Sequence, residues 1–519
     1  MNLPDPAVCY DALRSRDARF DGRLFVGVAS TRIYCRPVCR VRTPLARNCR
    51  FFNSAAAAEA AGFRPCLRCR PELAPGYAAV DAQARLARRA AALIEAGPGE
   101  GGLEAVASRL GVTARHLRRV FDAEFGVSPV DYLQTQRLLL AKRLLTDTAL
   151  PVTEVALAAG FGSLRRFNAL FQARYRMNPT RLRAQAVDAS PLSKRPQGPT
   201  SSSPPPEGVK QALGGPAPAS ELRFLLAYRP PYDWDWVLGF LAARTIAGVE
   251  SVAEGAYRRV VAFDEPGVAG WVEVRRARKG DLLEVRVAPS LARRIPELIA
   301  RVRRVFDLDA RPEEIAAGLG AWAGERPGIR LPGGFDGFEL AARAILGQQV
   351  SVKAAHTLAG RVAARFGPSV EMPFEGLSRA FPTPDVLAAA APEDVAALGI
   401  VRQRAAALVS LARAIAEGRL ALDPAGDVDE ALAALRALPG IGDWTAQYVA
   451  MRALGWPDAF PASDLVLMRA LDVRTPKAAL AAAEAWRPWR GYAVMHLWSG
   501  ARPQALAEPR AAAGPAPAP

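Results

Sequence analysis

The first chemically informative feature of the chain is a set of four cysteines near its N-terminus. They occur as two pairs, Cys35-Arg-Pro-Val-Cys39 and Cys66-Leu-Arg-Cys69. Paired spacings of this kind are typical of a four-thiolate zinc site. The chain has only 6 cysteines in 519 residues and none after Cys69, which argues against a disulfide framework. We therefore expect Cys35, Cys39, Cys66 and Cys69 to bind one zinc ion.

Positive charge surrounds these cysteines and is concentrated in the first third of the chain. Residues 1–186 hold 29 Lys and Arg against 15 Asp and Glu, a formal charge of +14, while the whole chain carries +17. Such a bias attracts nucleic acid or an anionic membrane surface. Because the sequence has neither a bilayer-spanning apolar run nor a signal peptide, we expect double-stranded DNA as the partner, no membrane, and a cytoplasmic, nucleoid-associated location. The nearby arginines are Arg32, Arg36, Arg40, Arg42, Arg64, Arg68 and Arg70.

The chain is too long for one core, and its patterns divide it into several units. Proline, serine and glycine dominate a predicted flexible linker, and the C-terminus resembles a disordered tail. Alternating apolar runs such as Leu282–Val287 predict strands after the linker, and helical patterns follow. We expect a multidomain, mainly α protein. The predicted units are 1–79 (cysteine pairs), 80–186 (helical), 187–220 (linker), 221–300 (α+β), 301–506 (helical) and 507–519 (tail).

A basic helical motif occurs twice in the second unit. In the first copy a helix ends at Gly111 and a basic helix starts after the N-cap candidate Thr113; the second copy turns at Gly160 and restarts at Ser163. One copy could be an ordinary helical hairpin, but two copies with basic second helices predict paired helix-turn-helix units. The candidate DNA-contacting residues are Arg115, His116, Arg118, Arg165, Arg166 and Asn168.

This whole segment, which closes with Tyr175-Arg-Met-Asn-Pro-Thr-Arg-Leu-Arg183, resembles the AraC-type DNA-binding domain. The resemblance implies an all-α fold with two helix-turn-helix units that bind promoter DNA. It also implies a role as a transcriptional activator, with RNA polymerase as a candidate partner.

The region around the cysteines, including Thr31–Arg40 and Ala61–Cys69, resembles the N-terminal domain of the Ada alkylation-response protein over roughly residues 3–75. The resemblance implies a small α/β zinc domain in which Cys35 is also a nucleophile that takes a methyl group from a DNA methylphosphotriester. Metal coordination keeps a cysteine in its reactive thiolate form. A closed four-thiolate site is ordinarily structural, however, so a purely structural zinc stays open as an alternative.

Methyl transfer would change the charge of such a centre from about −2 to about −1, which weakens its repulsion of DNA phosphates. This gives a physical rationale for activating the adjoining helix-turn-helix domain. Full-length Ada proteins also carry a second methyltransferase domain with a Pro-Cys-His-Arg motif. The sequence lacks that motif, so direct repair of O6-methylguanine is not expected.

The C-terminal half contains a glycine hairpin, Leu438-Pro-Gly440-Ile-Gly442, between two apolar helical stretches. Glycines there would let backbone N–H groups approach a DNA phosphate, which is a helix-hairpin-helix signal. Asp464 follows Trp444 by twenty residues. In isolation Asp464 would be interpreted as the N-cap of the next helix. Together the hairpin and the following aspartate resemble the helix-hairpin-helix base-excision glycosylases, and this resemblance implies a functional carboxylate instead.

Residues 222 to about 505 resemble the AlkA-type 3-methyladenine DNA glycosylase II of the helix-hairpin-helix superfamily. The matching stretches are Tyr228–Trp234, Ala344–Gln348, Leu438–Tyr448 and Trp486–Trp498. The resemblance implies an α+β N-terminal domain followed by an all-α glycosylase domain. It assigns catalysis to Asp464, the base pocket to Trp444, Tyr448 and Trp498, the duplex wedge to Gln349, and phosphate binding to Gly440 and Gly442.

These residue types suit an alkylated base, because aromatic faces stack on a cationic ring and a carboxylate stabilises positive charge that develops on the sugar. Relatives that also cut the strand carry lysine where this chain has Trp444, so we expect a monofunctional glycosylase. With no cysteine after Cys69, no iron-sulfur cluster is expected. Relatives insert a bulky apolar side chain into the gap that the flipped nucleotide leaves in the duplex, and Gln349 departs from that pattern. We expect Trp486, Trp489, His356 and His496 to be structural.

Together the patterns predict an alkylation-responsive transcriptional regulator and a base-excision enzyme on one chain. The alternative is a transcriptional regulator with a structural zinc ion and a non-catalytic DNA-binding C-terminal module.

Overall fold

The computed structural model describes residues 3–75, 86–96, 102–148, 150–189, 221–265 and 267–500. Within these ranges the protein is mainly helical with two sheets, which confirms the predicted multidomain, mainly α fold class. The predicted tail and residues 190–220 of the predicted linker lie outside the described residues. No helix in the described ranges has the length and apolarity needed to span a bilayer.

The N-terminal unit is built on a small sheet with strand order β3-β1-β2-β4. Strands β2 and β4 are parallel, with Tyr34 opposite Pro65. Because Cys35 and Cys66 directly follow these two residues, the parallel pairing brings one cysteine of each pair to the same end of the sheet. The elements are α1 (Pro6–Ser15), β1 (Phe25–Val28), β2 (Ile33–Cys35), β3 (Cys49–Phe52), α2 (Ala55–Ala60) and β4 (Arg64–Pro65).

Two helix-turn-helix units follow, as predicted. Thr113 and Ser163 cap the second helix of each unit by accepting the backbone N–H groups of His116 (3.2 Å) and Arg166 (3.4 Å). Gly111 has a positive φ of +67°, which a side chain would strain. The helices are α3 (Leu86–Ala96), α4 (Gly102–Arg109), α5 (Ala114–Phe125), α6 (Pro129–Asp147), α7 (Val152–Ala158), α8 (Leu164–Tyr175) and α9 (Pro179–Ala189).

Helix α6 connects the two helix-turn-helix units and is tied to the cysteine-containing unit by buried ion pairs. Lys142 Nζ lies 2.6 Å from Glu72, and Arg70 lies 2.7 Å from Asp147. Burial alone would raise the pKa of Glu72, but Lys142 and Arg70 outweigh it and bring that pKa to about 2. Arg70 and Glu72 follow the second cysteine pair directly, so the same short segment carries zinc ligands and anchors α6.

The third unit is a five-stranded antiparallel sheet with order β5-β9-β8-β7-β6. Alternate residues of β5 (Leu222, Phe224 and Leu226) are buried, as the alternating sequence pattern predicts. Its elements are β5 (Leu222–Ala227), α10 (Trp234–Ala242), β6 (Glu250–Ala253), β7 (Ala256–Ala262), β8 (Ala269–Arg276) and β9 (Leu282–Val287).

The described residues after β9 are mainly helical and pack on the sheet. Arg259 lies 2.7 Å from Glu339 of α14, and Arg343 lies 3.1 Å from Glu250, so buried ion pairs attach α14 to the sheet. The helices are α11 (Ile295–Val305), α12 (Pro312–Leu319), α13 (Ala321–Gly324), α14 (Gly337–Leu346), α15 (Val352–Phe366), α16 (Pro384–Ala388), α17 (Pro392–Ala396), α18 (Arg402–Ala416), α19 (Val428–Ala437), α20 (Asp443–Arg452), α21 (Leu465–Ala470), α22 (Pro476–Ala483) and α23 (Arg490–Trp498).

The two halves of the chain are in contact. The largest buried apolar cluster extends from α6–α9 through the sheet into the helical unit. Arg229, which is 3% exposed, donates to the backbone carbonyls of Asp21 (2.7 Å) and Asp309 (2.8 Å). Arg143 of α6 donates to the carbonyl of Leu225 in β5.

We expect Lys142→Met to loosen helix α6, because Glu72 would lose one of its two buried cationic partners. Breaking a buried pair from one side costs about 3–5 kcal/mol, whereas neutralising both sides costs much less. Hydrogen exchange of the α6 amides should show lost protection in Lys142→Met and partial recovery in the double variant Lys142→Met/Glu72→Gln.

Lys353→Met, at an exposed position of α15, is the matched control and should leave α6 unchanged. All 9 tryptophans lie at or after Trp234, so tryptophan fluorescence reports independently on the C-terminal half. Unchanged protection of α6 in Lys142→Met would contradict the expectation.

Candidate zinc centre and nucleic-acid sites

The four predicted zinc ligands come together. Their Sγ atoms all lie within 4.8 Å of one another, and in the described part of the chain they are the one group of three or more potential metal ligands. A tetrahedral site with Zn–S bonds of about 2.3 Å has sulfur atoms about 3.8 Å apart, so the cluster has a suitable size. Cys9 and Cys49 lie outside it.

The donor set also fits zinc electrostatically. Four adjacent thiolates repel one another unless a cation lies between them, and thiolates are ligands that zinc prefers. The chain therefore has a four-cysteine site for one zinc ion.

The arginines around the zinc centre are less available to a partner than the sequence indicates. Arg36 is 7% exposed and forms a buried ion pair with Asp21, while Arg70 pairs with Glu72 and Asp147. Both arginines are neutralised inside the protein. The exposed members of the set are Arg32, Arg40, Arg42 and Arg68.

The two predicted DNA-contacting helices, α5 and α8, present their basic residues to solvent. In α5 the side chains of Leu117, Phe121 and Phe125 share one helix face and are buried, which turns the intervening positions outward. His116 is half-buried, with Nδ1 3.2 Å from Arg119. The exposed candidates are Arg115, Arg118, Arg165, Arg166 and Asn168. That these side chains contact DNA stays a prediction.

The glycine hairpin joins α19 to α20. Gly440 has φ +83°, and a Cβ there would lie 3.0 Å from the Cβ of Ala407, so conformation and space both require glycine. Gly442 is the N-cap of α20, with open space beside its Cα. An exposed helix N-terminus with room beside it is suited to a phosphate.

Asp464 combines both interpretations that the sequence leaves open. It is the N-cap of α21, where Oδ1 accepts the backbone N–H groups of Val466 (2.9 Å) and Leu467 (3.0 Å). It also accepts the indole N–H groups of Trp444 on Oδ2 (3.0 Å) and of Trp498 on Oδ1 (3.4 Å). All four partners are donors, which is the arrangement that suits an ionised carboxylate.

The three predicted pocket aromatics are neighbours and half-buried. Trp444 and Tyr448 stack with ring centroids 5.2 Å apart and an angle of 11° between their planes. Trp498 lies 6.3 Å from Tyr448. The indole N–H edges of the two tryptophans meet the Asp464 carboxylate, and all three rings remain partly accessible to a planar ring.

Two residues of this region were not expected from the sequence. Arg452 is 3% exposed and donates to Tyr448 Oη (2.6 Å), and its guanidinium lies 4.9 Å from the ring centre of Phe240 in α10. Burial would raise the pKa of Tyr448, but Arg452 and Arg244 outweigh burial and lower it. Trp444, Tyr448 and Arg452 recur every four residues, a helical spacing that was a usable signal for Arg452. No local signal indicates Phe240.

The other predicted positions are also resolved. Gln349 is exposed in the turn between α14 and α15. Trp486 and Trp489 are buried at 6% and 7% exposure. His496 is buried against Trp322, and burial lowers its pKa to about 4. These observations agree with structural roles for the two tryptophans and for His496.

Comparison with known proteins matches four family models along the chain. The matches are the metal binding domain of Ada (residues 8–72), a helix-turn-helix domain (106–185), the AlkA N-terminal domain (223–336) and the HhH-GPD superfamily base excision DNA repair protein (342–476).

Three relatives illustrate the similarity. A Mycobacterium tuberculosis protein named "Probable bifunctional transcriptional activator/DNA repair enzyme AlkA" is 39% identical over 502 residues, 95% of both chains. The Escherichia coli DNA-3-methyladenine glycosylase 2 is 41% identical over 53% of this chain and 96% of its own. The Escherichia coli bifunctional transcriptional activator/DNA repair enzyme Ada is 38% identical over 29% of this chain and 42% of its own.

The fold and the matched domains thus define a protein that fuses an Ada-type metal-binding domain and a helix-turn-helix domain to a helix-hairpin-helix base-excision module. Its similarity to the mycobacterial protein extends through all of these units. The chain belongs to the family of bifunctional transcriptional activator/DNA repair enzymes of the AlkA type.

We expect native mass spectrometry to find one zinc ion per chain, and to find it lost in Cys69→Ala, because three thiolates leave the tetrahedral site incomplete. Cys9→Ala and Cys49→Ala are matched controls that should keep the ion. Full zinc retention in Cys69→Ala would remove this residue from the ligand set.

Proposed function

We propose that the chain is an alkylation-responsive regulator and a monofunctional DNA glycosylase that hydrolyses the N-glycosidic bond of alkylated bases of the 3-methyladenine and 7-methylguanine type. The cysteine unit (1–79) would accept methyl groups and the helix-turn-helix unit (80–186) would bind promoter DNA. The remaining units (221–300 and 301–506) would flip and excise the base. Contact with RNA polymerase and association with the nucleoid belong to the same proposal.

The observation that supports the glycosylase most directly is the carboxylate of Asp464 between Trp444 and Trp498. A flipped cationic base would stack on the half-buried rings, while Tyr448, held by Arg452, closes one side. As the C1′–N bond breaks, its electron pair leaves with the base and positive charge develops on the sugar. Asp464 stabilises that charge or orients the water that adds to C1′.

Asp464→Asn tests this assignment while preserving the helix cap, because the amide oxygen can still accept the two backbone N–H groups. We expect release of 3-methyladenine and 7-methylguanine from methylated duplex DNA, followed by mass spectrometry, to fall by at least about 100-fold. Asp427→Asn is the matched control: Asp427 caps α19 in the same way and is exposed.

Release retained in Asp464→Asn would remove Asp464 from catalysis. If folded, DNA-binding wild-type protein releases no base, the non-catalytic regulator is the better description of the C-terminal half.

Cys35 is proposed as the methyl acceptor for two reasons. It matches the acceptor position of the Ada family, and its sulfur accepts fewer backbone hydrogen bonds than those of Cys66 and Cys69. Backbone N–H groups of Arg68 and Arg36 donate to Sγ of Cys66 and Cys69 (3.4 Å each), and no such donor is found for Cys35 among the described residues. Hydrogen bonds withdraw charge from a thiolate, so Cys35 keeps more nucleophilic character than Cys66 or Cys69.

The proposed step transfers a methyl group from phosphotriester oxygen to sulfur. The Cys35 thiolate attacks the methyl carbon, the C–O bond breaks, and its electron pair stays on the phosphate, which becomes an ordinary diester. A bound zinc ion would keep the four sulfurs deprotonated. Solvent exposure instead favours Cys69 as the methyl acceptor, since Cys35 is 5% exposed whereas Cys69 is half-buried.

Peptide mass spectrometry after incubation with DNA that carries methylphosphotriesters should find one added methyl group, on Cys35. DNA methylated only on its bases is the control substrate and should give none. Methylation of Cys69 would mean that solvent exposure selects the acceptor and would contradict the assignment to Cys35. If no cysteine is methylated, the zinc ion has a structural role only.

A further inference from the structure

One side chain connects the turn that carries the predicted wedge to the glycine hairpin. The Nε2 group of Gln348 donates to the carbonyl oxygen of Gly440 and to Oγ1 of Thr445, both at 2.9 Å. An amide –NH₂ has two hydrogens, so both are used in bonding the hairpin. The bonds join segments 92 and 97 residues apart in sequence.

The backbone next to this side chain is strained. Gln349 has φ +54°, a left-handed conformation that non-glycine residues rarely adopt and that persists where the surroundings impose it. On its N-terminal side, Arg404 donates to the carbonyl of Leu346 (3.2 Å), and on its C-terminal side Ser351 caps α15. The side chain of Gln348 is therefore the anchor closest to the strained residue.

The two acceptors of Gln348 lie at functionally different points of the hairpin. Gly440 is the glycine at the turn, and Thr445, which is 3% exposed, is next to the pocket residue Trp444. The amide of Gln348 thus fixes the turn that carries Gln349 relative to two places. One is the predicted phosphate site at Gly440, and the other is Thr445, beside the aromatic pocket.

We propose that Gln348 is a positioning residue for base flipping. It holds the wedge turn at a fixed distance from the helix-hairpin-helix, so that binding of the DNA backbone at the hairpin directs Gln349 into the base stack. This inference rests on the proposed glycosylase function. Gln348 itself does not contact the base; it acts through the geometry of Gln349.

Gln348→Met tests the proposal, because methionine has a similar length and cannot form either hydrogen bond. Its affinity for duplex DNA, measured by fluorescence anisotropy, should stay within about threefold of wild type, since the hairpin glycines and the exposed basic helices α5 and α8 remain. Single-turnover release of 7-methylguanine from a fully paired duplex should fall about 10- to 100-fold, the size expected when a positioning contact is lost.

Two further readouts separate positioning from chemistry. The same lesion in a single-base bulge needs little wedge action, so the loss there should be several-fold smaller. In the Asp464→Asn background, 2-aminopurine beside the lesion should brighten on binding, and Gln348→Met should reduce that flipping signal. Thr445→Val removes one of the two acceptors of Gln348. Its rate of base release from the paired duplex should lie between those of wild type and Gln348→Met.

Gln403→Met, an exposed position on α18, is the matched control and should behave as wild type. An equal loss on duplex and bulge would place Gln348 in the pocket chemistry, and an unchanged duplex rate would overturn the proposal. If wild type excises no base but the 2-aminopurine signal depends on Gln348, the glycosylase proposal fails while the positioning role survives.

Discussion

The C-terminal site depends on how one carboxylate is held. Asp464 caps α21 and accepts indole N–H groups from Trp444 in α20 and Trp498 in α23. Three helices therefore meet at one pair of oxygen atoms, and moving any of them would leave a donor without its acceptor. The cap and the aromatic contacts are not competing roles. A helix N-terminus stabilises the same negative charge that the proposed chemistry requires.

Elsewhere in the protein, buried ion pairs join separate elements, as Asp464 does in the C-terminal site. The ion pairs Arg259–Glu339 and Arg343–Glu250 attach α14 to the sheet. Helix α14 ends at Leu346, where the turn that carries Gln349 begins. In the N-terminal half, Glu72 and Lys142 attach α6 to the segment that carries the second cysteine pair. Removing one partner of a buried pair leaves an unpaired charge, so a shift between the paired elements is costly.

Features set by neighbouring residues could be predicted from the sequence, whereas contacts with distant partners could not. The capping residues, the hairpin glycines and the cysteine pairs are readable because a few neighbouring residues set the conformation. The arginines near the cysteines were expected to face an anionic partner, yet Arg36 and Arg70 are neutralised by Asp21 and by Glu72 with Asp147. Of these partners only Glu72 is close in sequence.

The sequence by itself determined the zinc ligands, the order of the units and the two helix-turn-helix motifs, because short runs of neighbouring residues encode the cysteine pairs, the helix caps and the glycine turns. It indicated Asp464 through its place in a motif that resembles a known family. Only the tertiary structure decided that Phe240 packs against Arg452 and that Gln348 bonds the hairpin at Gly440. Those contacts join residues that are distant along the chain. Their distances are set by how the core and the buried ion pairs pack, and no local pattern records that packing.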